Sequence, residues 1–514
     1  MVRDPSLENR TAAGRGASIR SDQLEDIVNR VVDRLAPALA RQGNVGPATR
    51  PEATPSPGSA CGPTPPLVSR HVGGGARAKL GIYDTIDQAV GDARQAHQEL
   101  VHQRTMEDRN RIIEAMRQVT RDLAPELAQR AVDETELGRV EDKIAKNLLV
   151  ANKTPGTEIL RPWAQSGDEG LTLMERAPYG VIGSITPTTN PTETILCNAI
   201  GMIAGGNAVV FNVHPGAKKT CRFFVERLNE AMLGAGAPPG LLSMMGEPTI
   251  ESAQALMTHP GIRIVVVTGG PGVVRAAMSS GKRAICGGPG NPPVVVDETA
   301  DIRRAGQGIV RGASFDNNII CTDEKEVFVV ADVADLLKKE MCAAGAVELS
   351  RGEIAKLEKL VVDKDHPHKE WVGKDAARIA DAIGKKVPGD TRLLLCEVDS
   401  EDHPFMQVEL LMPVMGLHRV RDVDEAIAAA VRAEHGYGHT ASMYSTHIDS
   451  LHRMARAMDV SIFIKNAPNF SGLGHGGEGY TSFTIASPTG EGLTTAISFT
   501  RERRCTLKDH FRIV

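Results

Sequence analysis

Near the N-terminus, apolar residues return at helical spacing: Leu24, Ile27, Val28, Val31, Val32, Leu35 and Leu39. Asp22, Glu25, Arg30, Asp33 and Arg34 fill the opposite face. With Ser21 as N-cap and Pro37 as a stop, the pattern predicts an amphipathic helix over about 22–36, inside an N-terminal segment 1–42. A lone helix of that length is marginal in water, so its stripe needs a partner. The partner is the body of the same chain, a neighbouring helix, or a groove on another protein. Over 43–76 the periodicity vanishes, and Gly and Pro fill 14 of 34 positions, against 81 (51 Gly, 30 Pro) of 514 overall. No aromatic residue precedes Tyr83. Such a stretch buries too little apolar area to offset its ordering entropy, and we read it as a disordered linker.

From about residue 77 the pattern becomes that of a packed body. Charged helical stretches come first, as in Asp108–Arg117 and Arg139–Val150. Short β-branched runs follow at Gly180–Ile185, Ala208–Val213, Ile262–Thr268 and Pro293–Asp297, separated by helical stretches such as Cys221–Leu233 and Ile250–His259. A second block carries strand-like runs at Glu326–Val330, Arg392–Cys396 and Val414–His418. Strands alternating with helices predict an α/β protein built on parallel sheets with right-handed crossovers.

Composition narrows the function classes. Fifty-nine basic against 64 acidic residues leave a net charge of −5, which argues against nucleic acid or a membrane surface as partner. No apolar run reaches the ~18 residues of a membrane helix, and no secretory signal pattern opens the chain. Eight scattered cysteines without a CxxC pair read as a reduced cytoplasmic protein with no disulfide and no metal site.

Three stretches carry candidate chemistry. Ser184-Ile-Thr-Pro-Thr-Thr-Asn-Pro191 leads towards Ala204-Gly-Gly-Asn207 and a following strand. Gly269-Gly-Pro-Gly272 joins a strand to a helix, where free N–H groups and the positive dipole end favour a phosphate-bearing ligand. It is not GxGxxG, and a plain strand–helix turn accounts for it equally well. In Ser314-Phe-Asp-Asn-Asn-Ile-Ile-Cys-Thr-Asp-Glu-Lys-Glu-Val-Phe328, Cys321 follows a turn and precedes a charged run. A thiol there sits at an element edge within reach of backbone donors, unlike the usual buried cysteine.

The order Asn-Pro, Gly-Gly-Asn-Ala-Val-Val-Phe, Thr-Gly-Gly, Phe-Asp-Asn-(x)3-Cys and Glu-Leu-(x)2-Pro-Val resembles the aldehyde dehydrogenase superfamily over about 83–514. Specifically it resembles the CoA-acylating branch, the acetaldehyde and propionaldehyde dehydrogenases of bacterial microcompartments. The resemblance implies a Rossmann-type NAD/CoA-binding domain (77–298), a catalytic α/β domain (299–484) and a C-terminal oligomerisation segment (485–514). It also implies a small β-arm, about 166–178, formed by Leu171–Glu175 with Ile497–Thr500. By the same carry-over Cys321 is the nucleophile, Asn190 holds the oxyanion, and Glu409 is the ligand of the nicotinamide ribose. Gly269, Gly270 and Gly272 lie near the cofactor pyrophosphate. Thr186, Pro187, Thr188, His214 and Pro215 line the cofactor site, with Asn212 where the family's adenosine-binding Lys stands. His439, in Gly438-His-Thr440, is a base or CoA contact, or a structural histidine.

Two departures from hydrolytic members bear on mechanism. Their Pro-Trp-Asn is Pro187-Thr-Thr-Asn190 here, and the Glu of their Glu-Leu-Gly-Gly motif is replaced in Ala284-Ile-Cys-Gly-Gly-Pro-Gly290 by Cys286. Hydrolysis of a thioester needs a base to activate water, whereas a thiol acceptor does not. The missing Glu therefore argues for CoA as acceptor, and the resemblance implies NAD as cosubstrate and a short aliphatic aldehyde, propanal or acetaldehyde. The alternatives are a CoA-independent dehydrogenase making free carboxylate and an idle shell-bound scaffold. The resemblance further implies a cytoplasmic homo-oligomer inside a bacterial microcompartment, docked to shell proteins or other cargo through residues 19–42.

Overall fold

The computed structural model describes residues 80–514. The predicted helix over 22–36 and the linker over 43–76 lie outside the described residues. Two parallel sheets organise the rest. The first has the strand order Ile82–Tyr83, Leu242–Met245, Ala208–Val213, Val181–Thr186, Ile264–Thr268, Arg283–Gly287. Its central strands are buried along their whole length, so they read as continuous apolar runs rather than alternating ones. Helices Ile86–Gln103 and Pro191–Ala204 pack on it, and Met106–Thr135 packs on neighbouring helices. Met106–Thr135 starts with a capping box between Thr105 and Asp108, and Pro191–Ala204 is buried at all 14 positions.

The second sheet has the order Ala346–Glu348, Leu393–Val398, Val414–Val420, Glu326–Val330, Pro293–Val296, Thr440–Tyr444, Ile462–Lys465, all parallel. Pro293–Val296, which the sequence reading put with the first block, pairs with Glu326–Val330 on one side and Thr440–Tyr444 on the other. Its sheet is thus set by its neighbours, not by its place in the chain. Thr440–Tyr444 has Ala and Ser at its centre and lacks the β-branched run that marks the other strands.

The arm is antiparallel. Gly170–Pro178 pairs with Trp163–Gly167 and with Thr500–Lys508, in a register running from Thr500 opposite Pro178 to Lys508 opposite Gly170. This corrects the expected pairing partner: Ile497 precedes the strand. Ala496 and Phe499 are buried, and the phenyl ring packs against Gly201, where a methyl group would come within 3.0 Å of it. Phe483, Ile485, Ala486, Ala496 and Phe499 all join the core around the first sheet. Part of the segment assigned to oligomerisation is therefore interior packing. The seven cysteines of the described residues are all free, and among those residues no helix is long and apolar enough to cross a membrane.

Candidate active site

The first sheet reverses its winding between Val181–Thr186 and Ile264–Thr268, the point where such sheets bind ligands at the carboxyl ends of their strands. Several predicted cofactor residues meet there. Thr186 ends one strand, and its Oγ1 is buried without a partner. Gly269 and Gly270 follow the other; the Gly269 N–H donates to the Gly287 carbonyl at 3.2 Å, and Gly270 caps the helix Pro271–Met278. A methyl group at Gly270 or Gly272 would meet nothing within 4 Å, so the turn faces open space. Thr188 lies beside the next loop, since a methyl at Gly216 would come 3.2 Å from both Thr188 Cγ2 and His214 Nδ1. His214 and Pro215 are exposed on that loop. Open glycines, helix N–H groups and an unpaired hydroxyl fit a dinucleotide phosphate. Asn212 is buried, accepts from Ser252 Oγ at 2.5 Å and donates to the Thr249 carbonyl at 3.3 Å. It fastens the start of helix Ile250–Thr258 rather than presenting a free side chain.

Cys321 lies between a strained turn and the internal strand Glu326–Val330 of the second sheet. Helix Ile302–Ala313 ends in the turn Phe315–Asn318, where Asp316, Asn317 and Asn318 take φ of 45°, 54° and 64°. Three successive non-glycine residues in the left-handed region cost of order 1–3 kcal/mol each, so the surroundings must hold them. They do. Arg139 N–H donates to Asp316 Oδ1 at 2.7 Å, Asn317 Nδ2 to the Gly373 carbonyl at 2.9 Å, and Asn318 Nδ2 to the Ala313 and Glu324 carbonyls at 2.8 Å. From below, Lys325 Nζ donates to the Asn318 carbonyl (2.8 Å), Asn318 Oδ1 (2.6 Å) and the Ile320 carbonyl (3.2 Å).

Cys321 emerges from this turn half-buried, while Cys197, Cys221, Cys286 and Cys396 are fully buried. Burial, reinforced by the Glu409 carboxylate, pushes its thiol up to about 12 against the pull of Lys325. Burial likewise raises Glu409 to about 7, opposed by Lys325 and by the Gly290 N–H. His439 is 1% exposed, and its Nδ1 lies 2.8 Å from Thr440 Oγ1 while its Nε2 has no partner. Burial lowers it to about 4, so the imidazole is neutral at physiological pH. Gly290 brings these groups together: a methyl there would lie 2.9 Å from both the Cys321 carbonyl oxygen and His439 Cγ. Cys286 is wholly buried, and its N–H donates to Thr489 Oγ1 at 3.0 Å.

Asn190 caps helix Pro191–Ala204, yet its side chain makes no capping bond. Its Oδ1 instead accepts from Lys146 Nζ at 2.7 Å. Lys146 and Lys143 project from helix Val140–Lys153, both wholly buried. Lys146 pairs with Asp316 at 2.5 Å and Glu193 at 3.5 Å, and Lys143 with Asp316 at 3.0 Å. The sequence reading missed all four residues of this cluster. A signal existed: two lysines three apart on one face of a helix that also carries Leu149 and Val150. Charged residues in a helix ordinarily read as a solvated face, and that prior hid them.

The Aldehyde dehydrogenase family model matches residues 75–354. The acetaldehyde dehydrogenase (acetylating) EutE of Salmonella typhimurium is 50% identical over 443 residues, covering 85% of this chain and 94% of that protein. The crystal structure of the Rhodopseudomonas palustris propionaldehyde dehydrogenase, with bound CoA and an acylated cysteine, superposes with a TM-score of 0.82 at 46% identity, covering 84% of this chain and 98% of that one. A propionaldehyde dehydrogenase from the Clostridium phytofermentans fucose utilisation bacterial microcompartment gives a TM-score of 0.83 at 46% identity over 85% of this chain and 100% of that one.

Proposed function

The chain belongs to the aldehyde dehydrogenase family, and on that premise we propose how its site oxidises a short aldehyde and hands the acyl group to CoA. It is a CoA-acylating aldehyde dehydrogenase of the acetaldehyde/propanal type, using NAD and CoA. The observation that carries the reading is a half-exposed cysteine on a braced, strained turn, with a buried cysteine where a water-activating carboxylate would stand.

Cys321 adds to the aldehyde carbon once its proton has left, and a thiol held near 12 needs a proton acceptor to do so. Glu409, near 7, is the stronger base beside it, and His439, near 4, the weaker. Asn190 Nδ2 and backbone N–H groups beside Cys321 hold the oxyanion. NAD, when bound, supplies the hydride acceptor and CoA the thiol that receives the acyl group. Thr186, Pro187, Thr188, His214, Pro215 and the Gly269–Gly272 turn form the cradle for the dinucleotide, with Glu409 towards its nicotinamide end. His439, with Nε2 unspent, serves the entering thiol. Two large nucleotides sharing one cleft make the order ping-pong, through an acyl-Cys321 thioester.

The test is acceptor dependence. Without CoA we expect a burst of about one NADH per active site and little steady-state turnover. Mass spectrometry with propanal, then acetaldehyde, should find the acyl-CoA; sustained production of free carboxylate without CoA would overturn the reading.

Propanal is the substrate we favour, with acetaldehyde the close competitor. We further read the enzyme as a homo-oligomer assembled through its arm. Its location would be a bacterial microcompartment within the cytoplasm, docked to shell protein or other cargo by residues 19–42. A relative from a microcompartment supports this, as does the apolar stripe Leu24–Leu39.

A further inference from the structure

An asparagine amide has two ends of nearly the same shape, and only its partners decide which end faces the reaction. At Asn190 that choice is forced. Lys146 has donors only, lies 2.7 Å from Oδ1 and is wholly buried, so the carbonyl end must face the ammonium and Nδ2 must face away. Nδ2 has only Thr189 Oγ1, at 3.2 Å, as protein partner and keeps a hydrogen for another acceptor. Asn is favoured at helix N-caps because its oxygen receives an N2 or N3 amide. Here that bond is given up, and the helix Pro191–Ala204 starts without it. The ammonium is itself held in place: Asp316 and Glu193 offset its burial and keep its pKa raised, so it stays charged.

We propose that Lys146 is a positioning residue for aldehyde oxidation: it locks the Asn190 amide with its donor turned towards the reacting carbonyl oxygen. An ammonium on Oδ1 also polarises the amide and strengthens the N–H at its other end. This rests on Asn190 being the oxyanion donor.

The experiment is a double-mutant cycle with a readout of the nucleophile. Lys146→Met should lower the rate of the NADH burst about 10- to 100-fold, and Asn190→Ala about 100-fold or more, with the aldehyde KM changed less than about threefold. The combined variant should be no slower than Asn190→Ala alone, and iodoacetamide should alkylate Cys321 at the wild-type rate in all three. Because Lys146→Met leaves two buried carboxylates against one ammonium, Lys146→Met/Glu193→Gln is made beside it and both are checked by thermal melting. Asn190→Asp needs no change at the lysine. It removes the donor while offering the ammonium a carboxylate, so it should lose the burst rate like Asn190→Ala yet melt at or above the wild-type temperature. If Asn190→Ala keeps the wild-type rate, the oxyanion reading fails. If Asn190→Ala is slow but Lys146→Met is not, that reading stands and the positioning role is overturned. Losses that multiply in the combined variant, Cys321 alkylation that slows with them, or an Asn190→Asp that melts as low as Asn190→Ala also overturn it.

Discussion

At the scale of single residues, the site is built from groups moved away from their ordinary charge states by burial. Cys321 is held as a thiol, Glu409 sits near neutrality and His439 stays uncharged. What separates Cys321 from the other cysteines is its place on the turn, so Cys321→Ala should abolish NADH formation with the fold intact. Cys286→Ala and Cys396→Ala, which only open small core cavities, should keep substantial turnover; kinetics and melting curves on the three variants check this. Glu324, wholly buried, accepts from the Asn469 N–H at 2.9 Å, and burial raises it to about 8. A carboxyl raised in the folded state favours folding at low pH and loses that contribution as pH climbs. The window opens near the ordinary carboxylate value of 4.5 and closes near 8. The melting temperature of Glu324→Gln relative to wild type should therefore rise between pH 5 and pH 8 and level off above. A difference that is flat over that range, or that falls, would contradict the assignment.

At the scale of elements, the helix Val140–Lys153 and the turn Phe315–Asn318 form one unit. Asp316 accepts from Arg139 N–H and from both lysines, and its own N–H donates to Asp142 Oδ2 at 2.9 Å. The helix begins just after Gly138, whose φ is 77°, and a methyl group on Gly138 would collide with the Asp316 carboxyl. Gly138→Ala should therefore cost about 1–3 kcal/mol of stability, from strain alone, and should also slow the NADH burst by displacing Asp316. Denaturant titration with burst kinetics measures both. The element scale is also where the sequence misleads most. Thr322-Asp-Glu-Lys-Glu326 reads as a solvated charged run, yet all five residues after Cys321 are buried. Lys325 spends its ammonium on the turn above it, and both Glu326 oxygens lack a partner while burial raises that carboxyl far above the usual range. Local pattern could not find this, because a run of charged residues looks the same whether the fold leaves it in water or buries it.

At the scale of the whole molecule, the N-terminal segment and the body separate in the sequence by the Gly/Pro-rich stretch 43–76. If residues 19–42 serve docking rather than folding, deleting 1–42 should leave aldehyde oxidation nearly unchanged while abolishing co-assembly with shell protein. Exchanging Ile27 and Val31 for Glu should do the same, because it destroys the stripe and keeps the length. Sedimentation of the truncated enzyme checks the alternative, in which the helix packs on its own body and its loss alters the oligomer. Alternation of helix and strand, the parallel α/β class, the order of the motifs and the place of Cys321 just after a turn were all legible in the chain, because each rests on local periodicity or on a short contiguous motif. Tertiary structure alone decided the rest. It assigned Pro293–Val296 to the second sheet, buried Phe483, Ile485 and Phe499 in the first core, bonded Asn212 to Ser252 and set Lys146 against Asn190 across 44 residues of sequence. The physical reason is common to all four: each depends on a partner distant in the chain, and burial gives a charge or an amide its meaning only once that partner is in place.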